Sequence, residues 1–244
     1  MGASCLMASR RLSSAAPTPT SVLGANCLID LRRGAGLGYS SGSLVNAWAD
    51  QSGSGNNFSA LFTEPTDTAG PDGLDFNGST AAIGAPDVPA FDTTTAMVVG
   101  IKLKPDVITG NKVPVARGPS TGGTWSMQTN GAAMRAHIGV PGVSFGEGGT
   151  LAAGVSTYFL WYFDGGGGSS ATRLIMRQNG SGLTLSFPTG AIPATMAAGS
   201  DGIELGRYSN VVQHFDGKIA AFFVGNVVPS AGQITDLETY LAGA

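Results

Sequence analysis

The chain is a succession of short apolar runs, each closed by Gly, Asn, Asp, Ser or Pro. They are Cys27–Leu31, Leu44–Trp48, Leu74–Phe76, Met97–Leu103, Val113–Ala116, Thr124–Met127, Arg135–Val140, Tyr158–Phe163, Arg173–Gln178, Leu183–Phe187, Gly202–Leu205 and Gly217–Val224. Runs of this length, rich in β-branched and aromatic residues and punctuated by turn formers, are strands, and their even spacing predicts a β-sandwich. In Tyr158–Phe163 and Ile219–Val224 the apolar residues do not alternate with polar ones. That pattern belongs to central strands covered on both faces.

The 38 glycines follow no Gly-X-Y period, so they supply turns rather than a collagen-like helix. A length of 244 residues, 42% of them hydrophobic, suits one all-β domain with a large core. Residues 1–21, Pro/Thr-rich toward their end, bury too little surface to fold alone and read as an extended N-terminal arm; residues 22–244 read as the sandwich. At the far end, Ser230 three residues before Gln233 forms a capping box, and Ile234, Leu237, Tyr240 and Leu241 share one helical face, so a short C-terminal helix is expected to close the sandwich.

Charge narrows the function. Charged residues make up only 12% of the chain and the net charge is −3, so no broad positive field is available for nucleic acid. No run approaches the ~18 apolar residues of a membrane span. Met1–Ser14 carries Arg10-Arg11 after its short apolar stretch, unlike a secretory signal, and Leu6 breaks the myristoylation pattern. Cys5 and Cys27 have neither zinc spacing nor a disulfide framework and are read as free thiols, with a bridge tying down the arm as the alternative.

Several segments, in order, resemble the laminin-G-like and concanavalin A-like jelly rolls, of the kind found in bacterial surface proteins and phage particles. Val45-Asn46-Ala47-Trp48-Ala49-Asp50-Gln51-Ser52-Gly53-Ser54-Gly55-Asn56-Asn57 is similar to the W-x-D-x-S-G-x-G-N opening motif, and Gly73-Leu74-Asp75-Phe76-Asn77-Gly78 to the strand and turn after it. Ala96–Lys104, the pair Tyr158–Gly165 and Arg173–Gly180, and the closing segments Ile203–Arg207 and Phe215–Ala220 extend the likeness over Leu23–Leu241. Asn179-Gly180 has a mechanical reason to be there, since Asn-Gly supplies the positive φ angles of a type I′ hairpin. The resemblance implies an antiparallel jelly-roll sandwich; because that fold hosts lectins, hydrolases and structural proteins, it leaves function open.

Hydrolysis is disfavoured by the residues themselves. Glucanases of this fold need paired carboxylates on one strand face; Glu64, Glu147 and Glu204 each lack an acidic residue two positions away, and Glu238, two after Asp236, falls in the expected C-terminal helix, where that spacing does not share a face. Asp201 and Glu204 are oddly spaced and fall on opposite faces of a strand. His137 and His214 have no placed nucleophile, and Asp164–Ser170 lacks the Lys and helix of a phosphate loop, so it reads as a flexible hairpin tip.

The sequence therefore points to a non-catalytic protein. The leading expectation is a multi-copy phage virion component, a capsid decoration, head-fibre or tail-associated protein, held by the arm and the sandwich surface to other virion proteins. The alternative is a lectin-like module for cell-surface or environmental polysaccharide, placed at the cell surface or outside the cell. For it, Trp48, Trp125, Tyr39 and Tyr208 are the candidate sugar platforms, with Trp161 in the core. No cofactor is expected, save that Asp50, Asn56, Asn57 and Asp75 offer oxygen donors for a calcium ion, although Asp and Asn beside Gly are also ordinary turn formers.

Overall fold

The computed structural model describes residues 16–68, 70–118, 125–139, 144–208 and 213–244. Its strands, in chain order, are β1 (Cys27–Arg32), β2 (Leu37–Ser41), β3 (Leu44–Trp48), β4 (Phe58–Ala60), β5 (Thr66–Asp67), β6 (Leu74–Asn77), β7 (Ile83–Asp87), β8 (Ala96–Pro105) and β9 (Asn111–Arg117). There follow β10 (Trp125–Asn130), β11 (Ala133–Ile138), β12 (Phe145–Gly148), β13 (Thr157–Asp164), β14 (Leu174–Gln178), β15 (Ser181–Gly182), β16 (Gly202–Leu205) and β17 (Asp216–Gly225). Among the described residues they are accompanied by three α-helices, α1 (Pro19–Leu23), the single turn α2 (Ser170–Arg173) and α3 (Ala231–Gly243).

All pairings between named strands are antiparallel, and the hydrogen-bonded network folds over into two layers. The first sheet runs β15–β14–β13–β8–β17, with β17 flanked on its far side by β6 along one half and β1 along the other. The second runs β12–β11–β10–β9–β16–β7–β4–β3–β2. At one edge β5 pairs with both β3 and β6 and so stitches the layers together. At the other, Leu183 N donates to the Met176 carbonyl (2.9 Å) and Ser186 exchanges two 2.9 Å backbone hydrogen bonds with Glu147, so residues 183–187 bridge β14 and β12. This segment was expected as a strand; its side chains do alternate in and out, but it makes only one ladder bridge.

Between the layers lies an apolar core centred on aromatics. Trp125 packs edge-on against Trp161 (6.0 Å between ring centroids) and Phe91 (6.3 Å), and stacks on Phe222 (6.5 Å). Outside the first sheet is a second apolar layer. Val98, Leu160, Ala221 and Phe223 point away from the main core and are covered by Leu23 of α1 and by Leu237 and Leu241 of α3. This is why the continuous runs in β13 and β17 are apolar throughout: both faces are buried.

The C-terminal helix starts as the sequence implied, with Ser230 Oγ accepting from Gln233 N (3.4 Å) and Gln233 Oε1 accepting from Ser230 N (3.0 Å). The arm differs from expectation at its end. Residues 1–15, with Cys5, lie outside the described residues, but Thr18 and Ser21 cap each other's backbone and Pro19 takes the first helical position, turning this stretch into α1. Gln233 Nε2 then donates to the Val22 carbonyl (3.0 Å), tying α1 to α3. The Asp164–Ser170 run is also tighter than a flexible tip, since a Cβ on Gly165 would lie 1.9 Å from the Ala194 carbonyl oxygen and the run leads directly into α2. Asn179 and Gly180 have φ of 47° and 82°, the positive values the β14–β15 hairpin needs.

The helix-covered face leaves no room at its centre. A Cβ on Gly100 would lie 2.2 Å from the Phe223 ring. Gly100→Ala is therefore expected to destabilise the fold by about 1–3 kcal/mol through overpacking. Phe223→Leu, costly alone, is expected to recover part of that loss in the double variant; strictly additive losses in a denaturant double-mutant cycle would contradict the packing described.

Candidate functional site

The outward face of the first sheet is covered by helices; that of the second carries half-buried polar side chains around a row whose centre, Gly84, Ala116, Ser126 and His137, is buried. Cross-strand register defines this row: Ser59 (β4) opposite Gly84 (β7), then Glu204 (β16), Ala116 (β9), Ser126 (β10), His137 (β11) and Phe145 (β12). The inward neighbours of these residues, among them Ile203, Val115, Met127 and Ala136, belong to the core. Gly, Ala and Ser at the centre of the row make a low floor, and larger planar side chains stand around it.

Those side chains form connected groups. Gln128 Nε2 donates to Gln213 Oε1 (2.7 Å), and Gln128 Oε1 lies 3.2 Å from His137 Nε2. Toward β12, Arg135 pairs with Glu147, which also accepts from Asn130 Nδ2 (3.0 Å). The Arg135 guanidinium sits 4.6 Å over the Phe145 ring, and the His137 ring is 4.8 Å from Phe145 on centroids. Toward β7, Arg207 Nε donates to Glu204 Oε2 (2.9 Å).

Local structure sets these positions. β9 carries Pro114, which has no N–H to give a ladder, and the β9–β10 register slips there, with Met127 opposite Val115 but Thr129 opposite Lys112. The bulge turns Val113 N toward the Gln213 carbonyl (3.3 Å) and leaves the Pro114 carbonyl for Gly206 N (2.9 Å). These two bonds hold Gly206, next to Arg207, and Gln213 beside the row.

Electrostatics follows burial. Burial, with the Arg135 guanidinium beside it, pushes the His137 imidazole down to about 4. Burial alone would raise Glu147, but Arg135 and Asn130 hold it below the usual carboxylate range. On the opposite, inward face of β9, beside Ile203 and Trp125 in register, Arg117 is 1% exposed and pairs with Asp87 (2.8 Å) and Asp92 (2.6 Å).

Most of the residues singled out from sequence lie elsewhere. Trp125 is fully buried at the centre of the core, because a side chain of that size at an inward strand position fills the space between sheets. Trp48 is also fully buried and spends its indole N–H on the Arg32 carbonyl (3.2 Å). Tyr208 is 8% exposed, packed with Val113 and Ala116. None of the three offers a ring face to a sugar. Tyr39 is half exposed on the edge strand β2, its hydroxyl donating to Asp67 (2.7 Å). Trp161 is in the core as expected.

The calcium donors are likewise spent. Asp50 Oδ1 accepts from Asp30 N and Ser52 N (2.9 Å each), its Oδ2 from Ser52 Oγ (2.7 Å) and Asn56 N (3.1 Å). Asn57 Oδ1 accepts from Asp50 N, and Asn56 Nδ2 donates to the Leu28 carbonyl. Asp75, on β6, faces Lys218 (3.6 Å). The opening motif is thus a side-chain-organised turn that docks on β1. No group of three or more His, Cys, Asp or Glu converges as a metal site among the described residues, and no helix there is long and apolar enough to cross a membrane.

The sequence reading missed Phe62. It is the most exposed large hydrophobe among the described residues, at 63%, with the Arg207 guanidinium 4.2 Å from its ring centre. Nothing in its Leu61-Phe62-Thr63 context distinguishes it from a core residue.

A buried imidazole held neutral gives a pH signature. The unfolded chain gains a proton as pH falls below about 6.5, whereas folded His137 does not until about 4, so this group's contribution is complete above pH 6.5 and is lost between the two values. From pH 7.5 to 5 the loss amounts to roughly 2 kcal/mol. His137→Gln is expected to lose correspondingly less stability over that interval, measured by urea unfolding at each pH; equal losses in both proteins would refute the assignment.

No family model matches the chain, and no curated protein does. Solved structures share its fold. Domain 4 of AbnA, a GH43 extracellular arabinanase from Geobacillus stearothermophilus, in complex with arabinotriose, aligns at TM-score 0.60 and 14% identity over 87% of this chain and 98% of that domain. The binding domain of botulinum neurotoxin DC, in complex with rat synaptotagmin II, aligns at 0.66 and 9% over 90% of this chain, which spans 52% of the toxin chain. Trypanosoma rangeli sialidase in complex with sialic acid aligns at 0.62 and 14% over 94% of this chain and 34% of the enzyme. At these identities the likeness is one of fold: the chain is a jelly-roll-like antiparallel β-sandwich.

Proposed function

We propose that the chain is a non-catalytic, lectin-like module that binds polysaccharide across the outward face of its second sheet, at a cell surface or outside the cell. The observation that carries this reading is the asymmetry of the two outward faces. One is apolar and covered by α1 and α3; the other holds half-buried Gln128, Gln213, Arg135, Glu147, Glu204 and Arg207 in fixed hydrogen-bonded groups over buried Gly84, Ala116, Ser126 and His137. Planar amides and ion pairs held in advance match the alternating donors and acceptors of sugar hydroxyls at little ordering cost.

Two further points support it. Arabinotriose and sialic acid are the ligands in two of the similar structures, of AbnA domain 4 and the sialidase. The carboxylates on the face are engaged, Glu204 by Arg207 and Glu147 by Arg135 and Asn130, which suits holding a ligand better than general acid–base work. Particle assembly through the arm has less to stand on, because the described end of the arm is spent on α3 and β1 of the same chain: Thr20 Oγ1 donates to Asp30 (2.8 Å) and Val22 accepts from Gln233.

Affinity electrophoresis and calorimetry against arabinan, a neutral β-glucan and a sialylated glycan are expected to show binding to at least one. The Gln128→Ala/Gln213→Ala variant is expected to weaken it by about tenfold or more, the equivalent of one or two lost hydrogen bonds. Absence of binding to any glycan, or release of reducing sugar that disappears in Glu204→Gln, would overturn the reading.

A further inference from the structure

Phe62 is the feature of this face that the polar groups leave unexplained. Its ring is 63% exposed, yet its backbone is pinned on both sides: Leu61 N donates to the Ala82 carbonyl (3.0 Å), and Ala82 N donates to the Thr63 carbonyl (3.1 Å). The ring is held from one side by Arg207, whose guanidinium lies 4.2 Å from its centre and is itself fixed by Glu204. An exposed aromatic ring that costs free energy in water is here held by Arg207 against its face and by Ala82 through the backbone on either side of it.

The bracing also joins the ring to the row described above. Leu61 lies over Gly84, where a Cβ would come within 2.8 Å of its Cδ1, and Gly84 is the register partner of Glu204. The apolar pair Leu61 and Phe62 therefore adjoins the Glu204–Arg207 ion pair at one end of the row.

Building on the polysaccharide-binding reading, we infer that Phe62, with Arg207 and Glu204, is the anchoring subsite of the face and takes a neutral pyranose. A pyranose presents a flat face of C–H groups that stacks on an aromatic ring, while its hydroxyls at the edge reach donors and acceptors beside the ring. Arg207 supplies donors and Glu204 acceptors at that edge. Because the two charges cancel within one 2.9 Å ion pair, the subsite offers no net attraction to a carboxylate or sulfate, which selects neutral sugars over uronates.

The test uses the full chain titrated with a soluble β-glucan, a galactomannan, arabinan and polygalacturonate. Phe62→Ala is expected to lower affinity for the neutral pyranose polymers about tenfold while leaving the unfolding midpoint unchanged, since the ring is exposed. Phe62→Trp is expected to retain affinity and to show a blue shift of indole emission on adding polymer, readable because Trp48, Trp125 and Trp161 are fully buried. Native affinity in Phe62→Ala, with the glutamine variant still impaired, would overturn this subsite and leave the face as the binding surface. Tighter binding of polygalacturonate than of the neutral polymers would overturn the ligand class. A shift of Phe62→Ala from a self-associated to a monomeric state would instead make the ring a contact between copies and end the proposal. Failure of the native chain to bind any of the four polymers would remove the underlying reading itself.

Discussion

Double burial of the first sheet is the constraint from which the rest of the structure follows. β8, β13 and β17 carry large apolar residues at consecutive positions, so whichever residues face the main core, their neighbours face outward with nothing to wet them. Leu160 and Phe223 each represent about 1.5–3 kcal/mol of burial that requires a cover. Leu237 and Leu241 of α3 and Leu23 of α1 provide it, which is why a chain that is otherwise all strand ends in a capped helix and begins its sandwich with another. Once that sheet is a buried middle layer, the outward side of the second sheet is left to carry hydrogen-bonded polar groups such as Gln128–Gln213, Arg135–Glu147 and Glu204–Arg207.

Edges present the second physical demand. An open sandwich exposes unpaired backbone groups at its edges, which invites pairing with other chains. Here β5 bonds to both layers on one side, and residues 183–187 bond to both on the other. The second closure dictates composition at a distance. Leu183 and Leu185 lie so close over β12 that a Cβ on Gly146, Gly148 or Gly149 would meet a leucine side chain at 2.8–3.1 Å. Gly146 and Gly148 are there because the strap needs the space, and Gly149, at φ 80°, also makes the turn that ends β12.

That substitution of packing for propensity marks the limit of what was legible. Where a strand is built from its own apolar pattern, the sequence locates it closely: the runs Leu44–Trp48 and Gly202–Leu205 coincide with β3 and β16, and the β14–β15 hairpin turns on Asn179-Gly180. β2, β7 and β12 went unread because Gly38, Gly84, Pro86, Gly146 and Gly148 erase their strand signal. In β7 and β12 those glycines are forced by neighbours far away in sequence, Leu61 and the 183–187 strap. Likewise, the short helix α1 arises from a Thr18/Ser21 reciprocal cap inside a stretch whose composition reads as an unfolded arm.

The site was less legible than the fold, for a reason contained in the same physics. A search for sugar platforms starts from Trp and Tyr, but in a chain with so few charges and so wide a core the indoles are the best fillers of inter-sheet space, and all three are fully buried. What makes a binding face is a relation between strands: Gln128 bonded to Gln213 across 85 positions, Phe62 braced by Arg207. Each of these residues is unremarkable within its own segment. They become a surface through the register that sets Gly84, Glu204, Ala116, Ser126 and His137 side by side, and through the slip at Pro114 that turns the Gln213 segment toward it. Because that register is fixed by the apolar residues on the opposite face of the same strands, Ile203, Val115, Met127 and Ala136, a one-residue slip would invert core and site together. The packing that stabilises the sandwich is therefore also what keeps the polar face assembled.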